Sequence, residues 1–117
     1  MEIKIWGTTH CIFQNDQVSV HDLSILKGGY CSRHKHKNKF NTFYVISGRL
    51  LVKIWRYETS GKDICDEHIL IPGDTLVVPP GELHQFEARD YTRALEIYHT
   101  QLDEFDIERD TTGGIRH

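Results

Sequence analysis

Apolar and polar residues alternate along this chain in short runs, the pattern of strands with one wet face. Residues 18–26, VSVHDLSIL, place Val18, Val20, Asp22 and Ser24 on one side and Ser19, His21, Leu23 and Ile25 on the other. Further strands are expected over 42–46, 50–57, 64–71, 75–78, 84–88 and 94–100. Turn residues punctuate them at Lys27-Gly28-Gly29, Ser47-Gly48, Thr59-Ser60-Gly61, Pro72-Gly73-Asp74 and Pro79-Pro80-Gly81. No window of a dozen residues carries an apolar stripe of helical period. Residues 102–107 are expected to form at most a helical turn in a polar tail. The class is therefore all-β, and regular short strands with Gly/Pro turns imply a closed or double-sheet structure.

Two segments carry the candidate chemistry. The first, GGYCSRHKHKNKFNTFYVISG from Gly28 to Gly48, holds His34, His36 and Asn41; the second, GDTLVVPPGELH, runs from Gly73 to His84. Residues two apart on a strand share a face, so His34 and His36 can reach one ion. Strand parity turns Tyr30 and Ser32 to the same inner side and Cys31, Arg33, Lys35 and Lys37 outward. On the next strand Asn41, Phe43 and Val45 point in, while Tyr44 and Ile46 point out. His84 shares a face with Phe86 and Ala88 and completes the set if the strands close on themselves. Neutral imidazoles suit zinc, manganese, nickel or iron, and three protein ligands leave coordination positions for water or substrate.

These spacings resemble the two motifs of the cupin superfamily, whose fold is a single jelly-roll β-barrel open at one mouth. The resemblance implies one divalent metal held by His34, His36 and His84, with Asn41 at the position where the family carries a glutamate ligand. Asn41 can offer a carbonyl oxygen. Four neutral ligands would leave the ion its full charge and favour an anionic ligand such as an enediolate, carboxylate or phosphate. The second motif departs too, with Ala88 where the family closes on asparagine.

The resemblance extends further. Ile5-Trp6-Gly7-Thr8, the stretch NTFYVISGRLLV, and Leu95-Glu96-Ile97-Tyr98 followed by LDEFDIER are similar to the cupin domain of type II mannose-6-phosphate isomerases. That family interconverts mannose 6-phosphate and fructose 6-phosphate with a divalent metal. Such chemistry needs a base beside a metal-polarised carbonyl. Glu96 alternates with Leu95 and Ile97, so it is the candidate base, and Tyr98 on the same face is the candidate for orienting substrate. Arg93, Arg109 and Lys39 are candidate phosphate contacts. Two other classes compete: a metal-dependent oxygenase or lyase acting on a small acid, and a non-catalytic barrel that binds or senses a carbohydrate.

Composition narrows the partners. At 117 residues a single domain is expected, with its core over about 3–100 and a polar tail over 101–117. The formal charge is −3 with no long block of like charge, which speaks against nucleic acid, and no apolar run is long enough for a membrane span. Cys11, Cys31 and Cys65 are an odd set without paired spacing, so reduced thiols and a cytoplasmic location are expected. The expected partner is a small anionic or carbohydrate ligand. Trp55, opposite the Leu50, Val52 and Ile54 face, suggests a homodimer interface. His10, His21, His68 and His99 lack partners at metal spacing and are expected at the surface or an edge.

Overall fold

The computed structural model describes residues 1–55, 64–101, 105–109 and 111–117. These residues form β1 (Glu2–Lys4), β2 (Gly7–Gln14), β3 (Val18–Ile25), β4 (Phe40–Ser47), β5 (Leu50–Trp55), β6 (Asp66–Leu70), β7 (Thr75–Val78), β8 (Leu83–Ala88) and β9 (Thr92–His99). No helix occurs among the described residues, so none there is long and apolar enough to cross a membrane. The all-β expectation is met. A six-stranded antiparallel sheet in the order β1-β2-β3-β9-β4-β7 faces a three-stranded one in the order β6-β5-β8. This is the jelly-roll arrangement.

The core lies between the sheets because alternation delivers one face of each strand to it. Leu23 and Ile25 come from β3, Phe43 and Val45 from β4, Leu50, Val52 and Ile54 from β5, Phe86 and Ala88 from β8, and Ala94 from β9. Each fully buried large side chain contributes about 1.5–3 kcal/mol relative to exposure. The opposite face of β3 meets solvent, where Asp22 accepts hydrogen bonds from Arg93 at 2.7 and 2.9 Å. Gly48 turns the chain from β4 into β5 at φ 89°, and a side chain there would run into Tyr91 and Thr92. Glycine meets both demands.

Seven of the nine strands coincide with sequence expectations to within a few residues. The hairpin β1–β2 was not anticipated, because its residues are mostly exposed and follow no clean alternation. The expected helical turn over 102–107 lies partly outside the described residues, and 105–109 contain no helix.

The segment carrying His34 and His36 differs from expectation. It is an extended strip along β8, paired with it at two isolated bridges, Tyr30↔Glu87 and His34↔His84. Four steps on one strand match three on the other, so the strip holds one extra residue, a β-bulge. The bulge switches parity between Tyr30 and His34. Cys31, expected to face outward, is buried in the core, and Phe86 N–H donates to its Sγ at 3.3 Å. Tyr30, expected to face inward, is 60% exposed.

Candidate metal centre

Backbone pairing brings two of the three histidines together directly. His34 N–H donates to the His84 carbonyl at 3.1 Å, and His84 N–H returns a bond to the His34 carbonyl at 2.9 Å. The third is tied in by Gly81, whose N–H donates to the His36 carbonyl at 2.7 Å. The rings converge, with centroids 4.5 Å apart for His34–His84, 5.0 Å for His34–His36 and 5.5 Å for His36–His84. One nitrogen from each ring lies within 4.8 Å of the other two.

The hydrogen bonds set the tautomers. His34 Nδ1 lies 2.8 Å from the Ser32 carbonyl, and His84 Nδ1 lies 2.9 Å from the Glu82 carbonyl. A carbonyl only accepts, so each Nδ1 carries the proton and each Nε2 keeps its lone pair. Orientation of a ligating imidazole through its other nitrogen is the usual supporting device of a metal site. His36 Nε2 is buried and meets no hydrogen-bond partner among the described residues. Burial, with the nearby His34, Lys39 and His84, lowers the His36 pKa to about 4. Burial also lowers that of His84, against the Glu82 carbonyl, which raises it. His36 and His84 are therefore neutral at pH 7, as ligation requires. A buried orphan nitrogen on His36 beside two oriented imidazoles fits a divalent metal.

Asn41 is fully buried beside this cluster. Its Nδ2 donates to His84 Nε2 at 3.1 Å and to Glu96 Oε2 at 3.3 Å, while its Oδ1 has no partner among the described residues. The amide thus presents nitrogen, not oxygen, to the histidines. Ligation through Oδ1 requires the amide to turn over and give up its bond to Glu96.

A cavity of about 490 Å³ opens beside the cluster. His34, Glu96 and Tyr98 reach it, with Trp6, Cys31 and Phe86 among its walls. Glu96 is 8% exposed, and Tyr98 packs edge-on against His36 at 5.0 Å. Burial and the Glu96 carboxylate push the Tyr98 phenol's pKa up, so it stays protonated. Burial pushes the Cys31 thiol up to about 11, which makes it a poor nucleophile.

His21 was expected at the surface or an edge, yet it lines this cavity next to Glu96, its partner in the β3–β9 register. It also packs edge-on against Tyr98 at 5.5 Å. Its shared face with Leu23 and Ile25 was the available signal. Two other expectations change. Arg93 is committed to Asp22 on the outer face, away from the cavity. Trp55 is half-buried, with the Arg33 guanidinium 4.0 Å from its ring centre, so one face of the ring is already covered. Lys39 lies over the Tyr98 ring at 4.0 Å, and Arg109 sits in the exposed tail.

Two facing antiparallel sheets with three imidazoles converging near a cavity define a small β-barrel whose histidines could hold a metal ion. Sequence comparison makes the class specific. The model of the cupin domain matches residues 22–99, and the chain belongs to the cupin family. Its structure is similar to that of KdgF from Halomonas sp., with TM-score 0.71 and 16% identity over 89% of each chain. It is also similar to a cupin superfamily protein from Desulfitobacterium hafniense DCB-2, with TM-score 0.68 and 17% identity over 86% of this chain and 84% of that one. Oxalate oxidase resembles it with TM-score 0.61 and 23% identity, over 72% of this chain and 42% of that one. No curated protein matches the sequence.

Proposed function

We propose that the protein is a divalent-metal isomerase or epimerase acting on a sugar or sugar phosphate, in the manner of mannose-6-phosphate isomerase. The observation that carries the reading is the placement of buried Glu96. Its carboxylate is one side chain, Asn41, away from His84 Nε2, and it faces the same cavity as His34. His34, His36 and His84 would hold the ion, with Asn41 joining only through its turned amide. A divalent ion there supplies a Lewis acid that polarises a carbonyl oxygen.

The chain's own groups supply the proton traffic. Glu96 takes the proton from the carbon beside the carbonyl and delivers it to the former carbonyl carbon. One C–H bond breaks and another forms, while a hydroxyl proton passes between the two substrate oxygens. Tyr98 keeps its proton and orders a substrate oxygen. His21, beside Glu96 on the same wall of the cavity, is placed to hold the hydroxyl that changes partners. In this reading the working form is a homodimer. Three cysteines without a disulfide fit a reducing, cytoplasmic setting.

The test is NMR of mannose 6-phosphate and fructose 6-phosphate in D₂O with protein loaded with zinc, manganese, nickel or iron. Interconversion with deuterium entering at the exchanged carbon is expected. Glu96→Gln should lower the rate about 10²–10⁴-fold while retaining metal. Turnover unchanged in Glu96→Gln, or none with any of the four metals, overturns the isomerase reading. Tight ligand binding without turnover would then identify a binding barrel, and O₂ consumption an oxygenase.

A further inference from the structure

The outer edge of the large sheet carries an unusual surface. β1 is three residues long, pairs with β2 on one side, and meets no strand on the other among the described residues. Edges of this kind are normally blunted by charge, proline or a covering element, because unpaired N–H and C=O groups invite another strand. Here Ile3 is 85% exposed, with Met1 at 86% and Ile5 at 99% on either side of it. Ile12 and Phe13, half-exposed on β2 beyond the start of β1, continue the apolar surface. Glu2 and Lys4 alternate with these residues, pair with each other at 2.7 Å and line the cavity. A three-residue strand holding aliphatic side chains in water gains little on its own.

The sequence of this edge is complementary to itself. In an antiparallel pair centred on Ile3, a two-fold axis sets Ile3 against its own copy. The same register sets Glu2 opposite the partner's Lys4, and Lys4 opposite the partner's Glu2. Opposite charges then face each other on the cavity side, which Ile5 also lines, and Met1 and Ile3 lie on the other face. A neighbouring peptide of arbitrary sequence would not match both faces.

We propose that β1 pairs antiparallel with β1 of a second copy, centred on Ile3, joining the two six-stranded sheets into one. This rests on the homodimer reading and moves its interface from Trp55 to the N-terminal hairpin. Because Glu2 and Lys4 line the cavity, the pairing also brings a charged rim from the partner to each candidate site.

The test is the solution mass and dimer dissociation constant of untagged full-length protein, measured by light scattering and sedimentation across a dilution series. Wild type is expected to be a dimer. Glu2→Lys and Lys4→Glu, made singly, set like charges opposite each other and should each weaken the dimer at least about tenfold. The double reversal Glu2→Lys/Lys4→Glu restores every opposition and should return the dissociation constant to within a few-fold of wild type. Ile3→Lys should give monomer that keeps the wild-type β-sheet circular dichroism. A monomeric wild type overturns both the homodimer reading and this interface. A dimer indifferent to the single reversals, or not recovered by the double one, overturns the interface alone.

Discussion

The β4–β9 ladder and the strip from Tyr30 to His36 both deliver side chains to the candidate site, and they do so by different means. β4 and β9 pair in one register from Phe40↔His99 to Val45↔Ala94. Asn41, Phe43, Glu96 and Tyr98 therefore point where simple alternation sends them. The histidine strip is held to β8 by two bridges with a bulge between them. There alternation fails for Tyr30 and Cys31, and backbone bonds with His84 and Gly81 fix the two histidines. One region is scaffold whose geometry follows from period-two patterning. The other is re-aimed at its edge, the usual use of a bulge beside a functional site.

The sharpest way to break this contrast is to damage each region in turn. Phe43 is fully buried between His84 and Phe86, so Phe43→Ala should cost about 3–5 kcal/mol in a urea melt of metal-free protein. His34→Ala, on the half-buried strip, should cost less than about 1 kcal/mol in the same melt. Equal losses would show that the strip is as structural as the ladder.

Asn41 joins the two regions. Asn41→Ala removes the oxygen that the turned amide would offer the ion, and should weaken metal binding about 10–100-fold by isothermal titration. An unchanged or tighter affinity would show that Asn41 acts only as the donor that occupies the His84 Nε2 lone pair in the metal-free protein.

Acid should act mainly through the histidine cluster. The folded state holds the His36 pKa at about 4, below the ordinary 6.5, and also lowers that of His84. Between these values the unfolded chain binds more protons than the folded one. The contribution is therefore fully present above about pH 6.5 and is lost as the pH falls towards 4. Metal-free wild type should lose more stability between pH 7 and pH 4.5 than His36→Gln does. Identical pH profiles for the two proteins would contradict this assignment.

The smallest expected effect is chemical. At pH 8 iodoacetamide should modify exposed Cys11 well before buried Cys31, whose thiol is raised to about 11. Mass spectrometry of the timed reaction reads the order. Early labelling of Cys31 would place it on the outside of the strip, as alternation alone suggested.

Much of the fold was legible because seven strands obey alternation and end at glycine or proline turns. Gly48 shows why: its turn demands both positive φ and the absence of a side chain. The candidate ligands were legible because His34 and His36 both lie beyond the bulge and keep their i, i+2 relation. Cys31 was misread because a bulge is a backbone event that one extra residue creates without any mark in the residue pattern. His21 was undervalued for another reason. Its inward face was readable from Leu23 and Ile25, but its partner across the ladder, Glu96, lies far away in sequence. The direction of the Asn41 amide depends on His84 and Glu96 together, which no local pattern encodes. The β1–β2 hairpin escaped because its apolar residues point to solvent.

The central claim is that His34, His36 and His84 hold one divalent ion. Its most direct test is elemental analysis of untagged protein beside the His34→Ala/His84→Ala variant, each after metal loading and dialysis. One tightly held equivalent in the wild type, lost in a variant that still shows β-sheet circular dichroism, is the predicted result. No bound metal in the wild type, or an equivalent that survives in the variant, would contradict the account.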